Sequence, residues 1–221
     1  MTDTPLADGT LRAVAVYCGF RIGARPAYRE AAVTLGRTLA ARDTTLVYGG
    51  GGGGMMRTVA DAVLDAGGRV IGVIPVSLVE REEAHEALPR TPDGSGSRLE
   101  IVPDMHTRKA RMLELSDACA VLPGGMGTMD ETFEVLTWAQ LGLHRKPCGM
   151  INVDGYYDAL LRWLDDAVTG GFLAADEREL LRVGPDPATV LDNLEAWVRE
   201  VADGGPAATL GLKLEDGEEL R

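Results

Sequence analysis

Twice in this chain a short apolar run opens into glycines and then into a segment of helical periodicity, and this repeated pattern restricts the possible folds more than any other feature. Residues 45–48, Thr-Leu-Val-Tyr, run into six glycines at 49–54 and then a helical pattern at 55–66. Residues 118–122, Ala-Cys-Ala-Val-Leu, run into Pro123-Gly124-Gly125-Met126-Gly127 and then a helical pattern at 128–141, with Phe133, Leu136 and Leu141 expected to face inward. Continuous apolar runs of this length suit interior parallel strands, which are covered on both faces, better than half-exposed ones. Similar runs at 13–17, 70–74, 99–102, 147–153 and 180–183 alternate with helical segments at 27–42, 107–116, 156–168 and 187–201. The alternation predicts an α/β fold: a Rossmann-like, doubly wound parallel sheet in a single domain. Ligands bind such sheets beyond the carboxyl ends of the strands, where strand order reverses.

With 221 residues and 45% hydrophobic content the chain can bury one core, and nothing in it demands two. Residues 12–202 are expected to form the folded, nucleotide-binding domain. Residues 1–11 lack periodicity and are expected to be disordered, and 203–221, rich in Gly, Ala, Glu and Asp, to be a flexible acidic tail. Residues 77–88 are charged and partly helical in pattern, and 89–97 have the composition of a flexible loop. A net charge of −12 argues against nucleic acid or a membrane surface as a partner, so an anionic ligand must be met by a local positive cluster. No apolar run approaches the roughly 18–20 residues of a membrane span. The N-terminus lacks the basic start and apolar stretch of a signal peptide, which makes a cytoplasmic protein the expectation. Cys18, Cys119 and Cys148 have neither metal-ligand spacing nor a C-x-x-C pair and are expected to be buried and reduced.

The two glycine turns carry the chemistry. The six glycines satisfy G-x-G-x-x-G trivially, but the next strand ends in Pro75 rather than in the acid that would hold a ribose. The Walker pattern fails at Met55, where a lysine would be needed. Neither a dinucleotide oxidoreductase nor an ATPase is favoured, and the scattered His85, His106 and His144 give no metal site. What remains is a phosphate cradle lacking any cofactor signature. Thr128 suits a helix N-cap, with Glu131 as its capping-box partner. The unpaired N–H groups and dipole of such a helix start favour an anion, with phosphate the natural guest. Glu131 is therefore either a capping carboxylate or a chemical one.

Met105-His106-Thr107-Arg108-Lys109 and the P-G-G-x-G-T-x-x-E run at 123–131 together resemble the LOG (Lonely Guy) family, the cytokinin riboside 5′-monophosphate phosphoribohydrolases, often mislabelled lysine decarboxylases. The resemblance spans about residues 14–172. It includes Tyr48-Gly49-Gly50-Gly51, the run Val70-Ile71-Gly72-Val73-Ile74-Pro75, Thr137-Trp138-Ala139-Gln140-Leu141-Gly142 and Asn152-Val153-Asp154-Gly155-Tyr156-Tyr157. It implies hydrolysis of the N-glycosidic bond of a nucleoside 5′-monophosphate, a cytokinin nucleotide or AMP, to free base and ribose 5-phosphate, without metal or redox cofactor. It also implies a homodimer with substrate contacts near the interface.

By the family's pattern Arg108 and Glu131 match the catalytic pair. Glu82, Lys109, Gly124, Gly125, Met126, Gly127, Thr128, Asp130, Thr137, Gly50 and Gly51 are the candidate substrate-binding positions. The residue types fit the reaction. Breaking a ribosyl C–N bond builds positive charge on C1′, which a carboxylate can stabilise while orienting or deprotonating water. Arg108 and Lys109 supply fixed charge for phosphate or ribose. Each also has a plainer reading: the basic pair as a solvated face, Thr137 bonding back to its own helix, Glu82 as one charge in a charged loop, and the Trp138 face as core or dimer surface.

Three departures bear on the substrate. Phe20 and Arg21 follow Cys18-Gly19 where the family usually has a serine, Arg57 stands where a glycine is usual, and Arg111 where Glu is common. They leave two competing readings: a nucleotide sensor without turnover, or an enzyme of this type acting on another nucleotide. A transferase sharing the cradle is a further competitor, although the usual acidic phosphoribosyl loop is not evident.

Overall fold

The computed structural model describes residues 10–79, 84–90, 96–205 and 207. Expectations for the chain before residue 10 and after 207, and for Glu82, lie outside the described residues.

Among the described residues seven strands form one parallel sheet: β1 (Ala13–Tyr17), β2 (Thr45–Tyr48), β3 (Val70–Pro75), β4 (Arg98–Val102), β5 (Ala118–Val121), β6 (Cys148–Ile151) and β7 (Leu181–Gly184). Their order is β4-β3-β2-β1-β5-β6-β7. The chain steps outward from β1 to one edge, then returns past β1 and steps outward to the other, so the reversal falls between β1 and β5. The helices are α1 (Pro26–Ala41), α2 (Gly54–Asp65), a single turn α3 (Val76–Val79), α4 (Met105–Glu114), α5 (Met126–Gln140), α6 (Asp158–Thr169), a second short turn α7 (Ala175–Arg178) and α8 (Pro187–Ala202).

Side chains of a strand alternate between faces, and β1 divides the core accordingly. Val14 and Val16 join Leu35 and Leu39 of α1, Val59 of α2 and Leu191 of α8 on one face. Ala15 and Tyr17 join Met112 of α4, Val135 of α5 and Leu164 of α6 on the other. Each fully buried Leu or Val contributes about 1.5–3 kcal/mol relative to exposure. This two-sided covering is why the strands read as unbroken apolar runs. The three cysteines are free and buried. Cys119 and Cys148 are direct neighbours across β5 and β6, and remain thiols.

The expected α/β doubly wound sheet is what forms, with adjustments at helix ends and turns. The helix expected from residue 128 begins two residues earlier, at Met126, with Gly125 at the N-cap and no side-chain cap. Thr128 is therefore inside the first turn and Glu131 further along, so they do not form a capping box. Leu141, expected to face inward, is exposed. The segment at 153–155 forms a short 3-10 turn before α6, and the α7 turn carried no periodic signal. None of this moves a strand.

Candidate active site

A cleft of about 480 Å³ opens at the carboxyl ends of β1 and β5, the point of strand reversal. One wall is polar. It is built from Gly124, Gly125, Gly127 and Thr128 at the start of α5, Asp130 and Glu131 further along the same helix, and Arg108 of α4. The other wall is apolar: Phe20 and Ile22 from the loop after β1, with Met56, Leu78 and Met105. Tyr28 and Tyr156 close one side.

Arg108 sits in the first turn of α4, whose start is fixed by Asp104: its side chain accepts the Thr107 N–H at 2.8 Å. That bond holds the Asp104 carboxyl below its ordinary range. Arg108 is only 3% exposed. Its Nη2 donates to the Gly49 carbonyl at 3.1 Å, its Nη1 lies 3.6 Å from Met105 Sδ, and its Nε–H has no hydrogen-bond partner among the described residues. A buried cation with an unmet donor is costly to maintain in a fold, and such an exception calls for a partner, an ordered water or a ligand. Glu131 is 6% exposed and also faces the cleft. Burial, then the Glu131 charge, push the Cys18 thiol well above its ordinary range, while Arg108 opposes the shift. Both charged groups thus act on one sulfur just past the end of β1, and burial with Glu131 outweighs Arg108 and keeps Cys18 a neutral thiol.

The start of α5 presents donors. Its first intrahelical bond is from Met129 N–H to the Gly125 carbonyl at 3.1 Å. The N–H groups of Met126, Gly127 and Thr128 precede that ladder, and the N-cap glycine offers no side chain to meet them. A Cβ on Gly125 or Gly127 would meet nothing within 4 Å, so this backbone is open to a ligand. Unpaired donors, a dipole pointing outward and a buried guanidinium in the same cleft give it the chemistry that suits an anion.

Of the residues singled out in sequence, Arg108, Glu131, Gly124, Gly125, Gly127, Thr128 and Asp130 all line the cleft. Met126, 92% exposed, and Thr137 instead line a shallow groove on the outer side of α5 with Met129, Phe133 and Trp138. Lys109 turns from the cleft to Asp130 (3.1 Å) and Glu134 (3.0 Å). Burial alone would lower its pKa, but the bonds to Glu134 and Asp130 outweigh it and raise the value. This ion-pair cluster ties α4, which bears Arg108, to α5, which bears Glu131. Gly50 and Gly51 lie behind the cleft: Gly50 faces Ile74 and Leu99, and Gly51 bridges to Ala84. Among the described residues no group of three His, Cys, Asp or Glu side chains is placed to hold a metal ion.

The three departures separate spatially. Phe20, 47% exposed, forms part of the cleft wall, with its ring against Gly53. Arg57 pairs with Asp61 at 3.3 Å and does not line the cleft. Arg111 is held by Glu100 at 2.8 Å and by Glu114 at 3.3 Å. Sequence reasoning missed Tyr28 and the role of Gly49, whose carbonyl receives Arg108. Tyr156 belongs to a run already noted, but nothing in residue type alone placed it beside the glycine turn.

A family model described as possible lysine decarboxylase matches residues 56–194. A probable cytokinin riboside 5′-monophosphate phosphoribohydrolase of Oryza sativa subsp. japonica is 48% identical over 187 residues, 85% of this chain and 79% of that protein. The cytokinin riboside 5′-monophosphate phosphoribohydrolase LOG of the same plant is 45% identical, over 87% of this chain and 76% of that one. Among solved structures, a molybdenum cofactor carrier protein from Chlamydomonas reinhardtii superposes with a TM-score of 0.58 at 19% identity, covering 83% of this chain and 97% of that one. At that identity the likeness concerns the fold alone.

Proposed function

Because the chain belongs to the LOG family of phosphoribohydrolases, we propose that it hydrolyses the N-glycosidic bond of a nucleoside 5′-monophosphate, releasing the free base and ribose 5-phosphate. The observation that carries this reading is the pairing, in one cleft, of a buried arginine with an unmet N–H and a buried carboxylate beside an uncapped helix start. The helix start and Arg108 hold the anionic ribose phosphate. Glu131 lies against the sugar, stabilises the positive charge that develops at C1′, and accepts a proton from the attacking water. The bond from C1′ to the base nitrogen breaks, its electron pair leaves with the base, and that nitrogen takes up a proton. Water's oxygen becomes the new hydroxyl on C1′.

The apolar wall of Phe20, Ile22, Leu78 and Met105 supports an adenine carrying an apolar N6 substituent as the preferred base, with plain AMP as the poorer substrate. Incubation with a panel of nucleoside monophosphates, followed by chromatography of free base and assay of ribose 5-phosphate, tests the reading. Binding without release would indicate a sensor, and turnover only with an added acceptor a transferase. Phe20→Ser is expected to shift the kcat/KM ratio between an N6-prenylated nucleotide and AMP by roughly tenfold toward AMP, the scale of one lost apolar contact. An unchanged ratio would remove Phe20 from base selection.

A homodimer and a cytoplasmic setting belong to the same proposal. The first is supported by apolar exposure at Met126, Leu143 and Trp163, and sedimentation measurements test it. The second is supported by Cys119 and Cys148 remaining thiols on adjacent strands. Fractionation of cells expressing the tagged protein tests it.

A further inference from the structure

The turn that leads into α5 has all three of its leading carbonyls engaged. Tyr157 Oη donates to Leu122 O at 2.8 Å, the Gly19 N–H to Pro123 O at 3.1 Å, and Tyr156 Oη to Gly124 O at 2.7 Å. A trans peptide is planar, with its carbonyl and the following N–H pointing in opposite directions. Holding the Gly124 carbonyl toward Tyr156 therefore sends the Gly125 N–H the other way. No acceptor for that N–H is found among the described residues, and it sits beside the unpaired donors of Met126, Gly127 and Thr128. The peptide lies between two glycines, where rotation meets little steric resistance, so side-chain bulk does not fix its orientation.

Tyr156 is itself held firmly. Its ring is wedged edge-on between Tyr28, at 5.3 Å between centroids, and Tyr157, at 4.8 Å. The chain arrives there through Asp154, in the left-handed region at φ 50°. Asn152 fixes the turn by accepting the Tyr157 N–H at 2.8 Å and donating to Asp158 at 2.8 Å. The run Asn152-Val153-Asp154-Gly155-Tyr156-Tyr157 thus builds a support that ends on the glycine turn.

The geometry points to Tyr156 as a positioning residue: its hydroxyl latches the Gly124–Gly125 peptide so that the Gly125 N–H joins the helix-start donors on the substrate's phosphate. This rests on the reading that the start of α5 receives a 5′-phosphate. Tyr157 provides an internal contrast. The carbonyl it holds, on Leu122, precedes Pro123, which has no N–H, so its bond turns no donor toward the cleft.

The test is titration of the whole protein, as wild type, Tyr156→Phe and Tyr157→Phe, with ribose 5-phosphate, following heat and the Gly125 amide signal. Both variants keep the ring and its packing. Tyr156→Phe is expected to bind ribose 5-phosphate about tenfold more weakly, to lose the ligand-induced shift of the Gly125 amide, and to raise KM for the nucleotide with kcat within about twofold. Its Tm should stay within about 2 °C of wild type, since the hydroxyl is at the cleft surface. Tyr157→Phe should lower Tm and leave ribose 5-phosphate affinity unchanged. Wild-type affinity in Tyr156→Phe, or equal weakening in both variants, overturns the latch. Failure of the wild type to bind ribose 5-phosphate would instead bring down the phosphate reading, and the latch with it.

Discussion

Replacing Glu131 with Gln is expected to lower kcat about a thousandfold while KM stays within about threefold of wild type. The substitution keeps volume and hydrogen-bonding capacity but removes the charge that would stabilise C1′ and the lone pair that would take water's proton. A capping role for this side chain would predict something different, a fall in Tm with turnover largely kept. That alternative has lost its geometry: α5 starts at Met126 with Gly125 at the N-cap, placing Glu131 beyond the first turn. Steady-state kinetics together with a thermal melt separate the two. Base release at the wild-type rate would eliminate Glu131 as the acid-base group.

Gly49→Ala is expected to cost about a hundredfold in kcat/KM although this glycine is not among the residues lining the cleft. A Cβ at Gly49 would collide with Arg108 Nη2 and lie 3.0 Å from its Cζ and 3.3 Å from Met56 Sδ. The guanidinium must then leave its slot, losing its bond to the Gly49 carbonyl as well. The neighbour at fault is the end of a flexible side chain, so the chain should still fold, with the arginine displaced. The decisive measurement is a double-mutant cycle with Arg108→Ala. If Gly49 acts by holding Arg108, the double variant is no worse than Arg108→Ala alone, and the methyl becomes harmless once the arginine is gone. Strictly multiplicative losses would mean that Gly49 matters for another reason.

These two residues also show where the sequence could be read and where it could not. The sheet was legible because parallel strands covered on both faces leave an unambiguous trace: uninterrupted runs such as Ala13–Tyr17 and Val70–Pro75, spaced by helical periods. The catalytic candidates were legible through the resemblance, and the cleft does bring Arg108 and Glu131 together. The start of α5 was misplaced because Thr-x-x-Glu fits a capping box equally well wherever the helix begins. Local preference also argues against glycine inside a helix's first turn, where Gly127 stands; tertiary packing of the turn against Gly19 and Tyr156 overrides it.

The six glycines were misleading for a related reason. A missing Cβ permits close approach by a ligand or by the protein itself, and sequence does not distinguish them. Gly49 gives way to Arg108, Gly50 to Ile74 and Leu99, and Gly53 to the Phe20 ring, so much of the run serves internal packing. Lys109 is similar: its charge was plain in the sequence, but the two carboxylates that occupy it come from α5, more than twenty residues away.

Part of the apolar wall comes from a different stretch of chain than the polar one. Phe20 and Ile22 hang from the connection after β1, whereas Arg108 and Glu131 are anchored on α4 and α5. On the proposed function, a lineage could exchange the nucleobase it accepts by altering a few positions in that one surface segment, leaving Arg108 and Glu131 untouched. Divergence among such proteins should accumulate at residues 20–25 first, and a library randomised only there is where new preferences are to be sought.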